Sequence, residues 1–159
     1  MNIKDAIKSQ YLASLAMLQE AVAKCPESLW QDREYANAFW HIAYHTLYYT
    51  HLYLQPTGED FRPWSKHRGY YHSLTRQEPK SGEPYSQADI LEYLEFCRMQ
   101  VDQQVSQLDL EAESGFHWLP FDKLELQFYN IRHLQQHIGE LCERLGAQGG
   151  VEVAWAVRG

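Results

Sequence analysis

His133-Leu-Gln-Gln-His137-Ile-Gly-Glu140-Leu-Cys-Glu-Arg144-Leu-Gly146 places apolar side chains at Leu134, Ile138, Leu141 and Leu145. Steps of three and four residues are the repeat of one face of an α-helix. Followed backwards, the stripe continues through Ile131, Phe128 and Leu124. The spacing predicts one amphipathic helix from about Phe121 to Leu145, with Arg144 in its last turn and Gly146 just past its end. Beside the stripe, His133 and His137 stand four residues apart, so both rings share a face, one turn from each other. Asn130 precedes the pair and Glu140 follows it.

Three more helical segments come from the same period. Ile3, Ile7, Tyr11, Leu15, Leu18 and Val22 define one from Ile3 to about Lys24, with Asn2 as its cap, and Cys25-Pro26-Glu27-Ser28 ends it. A second runs from a cap at Asn37 through Leu54 and stops at Gln55-Pro56-Thr57-Gly58. It is apolar nearly all round, as befits a helix buried on every side. A third opens on the capping box Ser86-Gln87-Ala88-Asp89 and fades near Leu108. Between the second and third, residues 56–85 have no period and hold Pro56, Pro63, Pro79, Pro84, Gly58, Gly69 and Gly82. So long a loop within one domain points to function. The tail from Gly149 to Trp155 is partly β-like and is expected to drape over the body. The whole, 1–159, reads as a single all-α domain, a four-helix bundle with one long crossover between its second and third helices.

A chain of 159 residues, 45% of them hydrophobic, is long and apolar enough to bury a core without staples. A net charge of −7 without a basic patch argues against a nucleic-acid partner. Cys25, Cys97 and Cys142 are far apart and form no CxxC, which suggests neither a disulfide framework nor a thiolate zinc site. Cys97 and Cys142 sit in apolar helical patterns and read as small buried hydrophobes. The N-terminal residues lack a signal-peptide layout and no apolar run reaches spanning length, so a soluble cytoplasmic protein without a membrane partner is expected.

His41 and His45 form a second pair of the same spacing, in Trp40-His41-Ile42-Ala43-Tyr44-His45. Two such pairs on helices that pack together supply the ligands of a metal. Three neutral imidazoles with one open position are the set of a catalytic divalent ion rather than a sealed structural one. His45 lies among Ile42, Ala43, Leu47 and Tyr48, where an unpaired ring is costly to bury. A metal on one nitrogen and a carbonyl or carboxylate on the other would satisfy it. His41 competes for the same role, and the plainer alternative for either is a core histidine bonded to a carbonyl or a tyrosine hydroxyl. His51 should point elsewhere, His67 and His72 read as solvated loop histidines, and His117 would border the same cleft. Glu140 is placed to orient a ligand, to act as a base, or to pair with Arg144 at i+4.

On these pieces the chain resembles the DinB/YfiT-like family of metal-binding four-helix proteins over essentially its full length. The matching parts are the early second-helix histidine, the long crossover, and His133-Leu-Gln-Gln-His137-Ile-Gly-Glu-Leu ending at Gly146. The resemblance implies one metal histidine on the second helix and two on the fourth. It places the former at His45, because Tyr48-Tyr49…Tyr53-Leu54 then falls where family members carry their aromatic pattern. The implied metal set is His45, His133 and His137. The chain departs from the pattern in having His41 as well. The family also implies an up-down-down-up bundle, zinc or nickel, and a homodimer. Its characterised relatives activate a low-molecular-weight thiol such as bacillithiol, mycothiol or glutathione for transfer or isomerisation. A metal lowers the pKa of a bound thiol so that the nucleophilic thiolate exists at neutral pH, and the same open site can activate water for hydrolysis.

Groups from Trp64–Tyr71 and Phe116–Trp118 would line such a site, with Arg68 and Arg132 as candidate cations for the small-molecule substrate or thiol cofactor. The contrasting expectation is a non-catalytic interaction or dimerisation protein with a structural or adventitious metal. In that case the aromatic surface of the second helix serves a partner.

Overall fold

In the computed structural model, residues 2–75 and 83–159 are described; Pro79 and Gly82 of the predicted loop lie outside the described residues. Helix α1 spans Ile3–Lys24. The Asn2 side chain accepts from the backbone amides of Lys4 and Asp5, and the Asp5 carboxylate accepts in return from the Asn2 amide. Helix α3 spans Phe39–Tyr53, α4 Gln87–Gln107 and α5 Lys123–Arg144, with a short α2, Glu27–Trp30, between the first two long helices. The chain is all-α; among the described residues the one β contact is an isolated bridge between Glu113 and Asp122. No helix of the described residues is long and apolar enough to cross a membrane.

The cap of α4 is the predicted one: Ser86 accepts from the Asp89 amide and Asp89 from the Ser86 amide. Elsewhere the chain departs from the sequence reading. Helix α2 begins within the Cys25–Ser28 break, and the amides of Leu29 and Trp30 donate to the Pro26 carbonyl. Proline ends one helix by lacking an amide hydrogen, yet its fixed φ suits the start of the next. Asn37 does not cap α3. Ala38 holds that position with no side-chain bond, and the Asn37 carbonyl accepts from Arg144 instead. Gly146 is not the residue that ends α5 either. A single π-helical turn, Leu145–Gly149, carries the chain on, and the left-handed residue is Gly150 at φ 60°.

The predicted stripe of α5 is buried at Leu134, Ile138, Leu141 and Leu145, but in the first half of the helix the inner face departs from it. Phe128 is 55% exposed, whereas Gln127 and Asn130 are fully buried. Both polar side chains are bonded: Tyr11 Oη donates to Gln127 Oε1 (3.0 Å), and Asn130 Nδ2 donates to the Thr50 carbonyl (3.2 Å). Hydrogen-bonded amides can occupy core positions that an apolar count assigns to others.

Cross-helix contacts give the directions of the four long helices. Lys4 reaches the Ser106 carbonyl and Gln87 the Val22 carbonyl, so α1 and α4 run antiparallel. Asn37 meets Arg144 while Thr50 meets Asn130, so α3 and α5 do too. Tyr44 packs on Tyr93 and Gln55 bonds Gln100, which makes α3 and α4 parallel. Tyr11 and Ser14 bond Gln127 and Gln135, which makes α1 and α5 parallel. The main core fills the space between them, with Tyr11, Leu15, Tyr44, Leu47, Tyr93 and Leu134 fully buried. Residues 151–159 run extended along α1, where Lys24 donates to the Glu152 carbonyl and Gly159 N donates to the Ser9 carbonyl. Cys25 and Cys97 are buried thiols, Cys142 is partly buried, and all three are unbridged.

Candidate metal centre

Antiparallel packing of α3 on α5 sets His45 opposite the turn that carries His133 and His137. One ligand atom from each of these three lies within 4.8 Å of the others, so the group could hold a metal ion. The ring centroids are 5.1, 4.9 and 4.7 Å apart and the planes are steeply inclined to one another. His45 Nε2 and His133 Nε2 are 3.1 Å apart. The edge of a tetrahedral nitrogen set with zinc-length bonds is about 3.3 Å.

The hydrogen bonds behind the rings decide what the facing atoms carry. His45 Nδ1 is 2.6 Å from the His72 backbone carbonyl, a pure acceptor, so Nδ1 holds the hydrogen and Nε2 the lone pair. His137 Nδ1 likewise meets Glu140 Oε2 at 3.3 Å, which leaves its Nε2 as a lone pair. His133 Nδ1 is buried without a hydrogen-bond partner. Either tautomer leaves Nδ1 unpartnered: with the proton on Nε2, that nitrogen donates to His45 and a lone pair is stranded at Nδ1, and with the proton on Nδ1 an N–H is stranded there. With the proton on Nδ1, two lone pairs would face each other across 3.1 Å, an arrangement that a shared cation turns from repulsive to attractive. The donor set, three neutral imidazoles, is one that divalent zinc or nickel accepts.

Burial keeps the His45 and His133 rings neutral. It pulls the His45 pKa down to about 3, aided by the neighbouring His137 and His133 and opposed by the bond to the His72 carbonyl. Burial takes His133 down to about 4, again with His137 adding to the effect. At neutral pH neither has to shed a proton before it can bind a metal.

His41, the competitor on the same helix, is not in this group; its ring stacks on Trp40 at 5.1 Å and lines a separate cavity. His51 does point elsewhere, bonding Tyr93 Oη at 3.2 Å between Phe61 and Phe96. His67 and His72 are not solvated loop histidines. His67 Nδ1 lies 2.5 Å from Tyr44 Oη, and His72 stacks on Tyr48 at 4.5 Å. These contacts pin the loop against α3 and so deliver the His72 carbonyl to His45. No sequence pattern marks that contribution, because the atom belongs to the backbone. His117 is exposed beside Trp118 and is not brought to the triad. Arg68 is committed to the Glu83 carbonyl and the face of Tyr85, and Arg132 is exposed.

Tyr49, one turn past His45, leans on His45 at 4.8 Å and on His133 at 5.6 Å, walling one side of the centre. Glu140 takes two of its predicted parts at once, accepting from His137 and, at 2.6 Å, from Arg144. Arg144 is itself buried and also donates to the Asn37 carbonyl. Carboxylates behind a metal-binding imidazole set its tautomer and raise its basicity. Glu140→Gln should therefore weaken zinc binding by about 10- to 100-fold. Competition titration against a chromophoric chelator reads that change, and an unaltered affinity would reduce Glu140 to a surface partner of Arg144.

No protein-family model matches the chain, and no curated protein or solved structure does.

Proposed function

We propose that the chain is a DinB-like four-helix bundle that holds zinc or nickel on His45, His133 and His137, and that it activates a low-molecular-weight thiol or water there for group transfer or hydrolysis. The observation that carries this reading is the convergence of three imidazoles, two with their rear nitrogens bonded to acceptors and two with pKa values pushed far below neutral. The directions of the four long helices support the architectural part. A bound divalent ion would supply Lewis acidity, lowering the pKa of a thiol or water so that the nucleophile exists at neutral pH. The chain's own part is to fix the rings from behind, through the His72 carbonyl and Glu140, and to limit solvent on the Tyr49 side.

Cobalt-substituted protein offers the direct test. Adding glutathione, or bacillithiol or mycothiol, should raise a thiolate-to-cobalt charge-transfer band that His137→Ala protein lacks. Absence of a band with every thiol, together with no hydrolysis of activated esters, would sink the catalytic reading. A structural metal is the competing reading, since the centre ties α3 to α5. Chelation would then lower Tm strongly while thiols never reach the ion.

A further inference from the structure

An open cavity of about 330 Å3 lies beside the start of α3, lined by residues of the segment from Gln31 to Ala38, by Trp40 and His41, and by Tyr71 and Pro84 from the crossover. We propose that it is a binding site for a small, planar, uncharged aromatic molecule. The proposal goes beyond the metal reading and does not depend on it.

The volume falls at the lower end of the range for small-molecule sites, room for one or two fused rings. Three of the lining residues are aromatic, Tyr35, Trp40 and Tyr71, and each is held in place by other contacts. Trp40 stacks on His41 at 5.1 Å, with Tyr71 at 5.5 Å and the edge of Tyr85 at 6.1 Å. Tyr71 Oη donates to the Glu83 carbonyl, and the Arg144 guanidinium lies 4.0 Å from the Tyr35 ring. Walls fixed in advance cost little ordering when a ring slides between them, and offset or edge-on ring pairs gain beyond simple burial.

Charge argues for a neutral ligand. The charged lining residues are Asp32 and Arg33, adjacent in sequence and opposite in sign, so the cavity favours neither an anion nor a cation. Arg144, behind Tyr35, already serves Glu140 and the Asn37 carbonyl. The Gln31 side chain, also in the lining, is a polar group able to orient a hydroxyl or amide on the ring.

The test uses 2-naphthol as probe, the full-length chain, and amide chemical shifts recorded in excess chelator so that no metal takes part. Saturable shifts should appear at residues 31–41 and Tyr71, with a dissociation constant of about 1 mM or tighter. Cyclohexanol should bind about tenfold more weakly, since it fills space without a π face. Ala36→Trp, which fills the cavity, and Tyr71→Ala, which removes a wall, should each lower naphthol affinity about tenfold in protein whose circular dichroism still shows the helices folded. His137→Ala should leave the binding intact, which keeps this result separate from the fate of the metal reading. Shifts that are absent, that centre on His45 and His133, or that survive both cavity variants would overturn the proposal. Equal affinity for cyclohexanol would overturn the aromatic class.

Discussion

His45→Ala, His133→Ala and His137→Ala proteins should each come out of purification without stoichiometric metal, where the unaltered chain carries about one divalent ion. The effect should exceed the roughly 100-fold limit expected of residues that only support a ligand, because each substitution removes one of three donors. Two imidazoles left in a partly buried pocket cannot complete the set, and no other histidine, cysteine or carboxylate joins this group among the described residues. His41→Ala is the informative control. It sits on the same helix one turn earlier, yet its ring belongs to the Trp40 cavity and it should keep full metal content. Elemental analysis of untagged protein reads all four variants. Stoichiometric metal in all three triad variants would place the site elsewhere. No metal in the unaltered chain, even after incubation with zinc and nickel, would leave the three rings as core histidines.

Why the triad was partly legible follows from where its information resides. His133 and His137 sit four apart on a strongly periodic helix, so their shared face is a local property of the sequence. Choosing between His41 and His45 is a tertiary matter, because both lie on one face of α3 and only the packing against α5 separates them. The His72 carbonyl was illegible for a further reason: backbone atoms carry no residue identity, and the loop's course is set by Tyr44 and Tyr48 contacts made elsewhere.

The helices repeat that division. Asn2 and Ser86 were readable as caps because each has its acidic partner three residues on, a pattern closed within one turn. Asn37 fits the preference for a cap, yet the helix starts one residue later with Ala38 in the cap position, while the Asn37 carbonyl accepts from Arg144, 107 positions away. Polar residues in the core, such as Gln127 and Asn130, mislead an apolar count for a related reason, since each has a hydrogen-bond partner on another helix.

Lys123→Met should destabilise the fold by about 3–5 kcal/mol without changing metal content. Lys123 is 3% exposed, and its ammonium donates to the carbonyls of Gln55 (3.3 Å), Pro56 (2.6 Å) and Ser114. Burial draws its pKa down to about 8, so at neutral pH it remains an ammonium with three hydrogens for three acceptors. Methionine keeps the reach and the bulk but leaves those carbonyls unpaired. At about 2–4 °C per kcal/mol for a chain of this size, Tm should fall by about 10 °C. The knot closes the C-terminal end of α3, ten residues or about 15 Å along the axis from His45, so the triad should still load with zinc at lower temperature. An unchanged Tm would mean that the carbonyls find other donors. Loss of zinc in a variant that still folds would mean that the knot, rather than the packing of α3 on α5 around Thr50 and Asn130, sets the register of the metal centre.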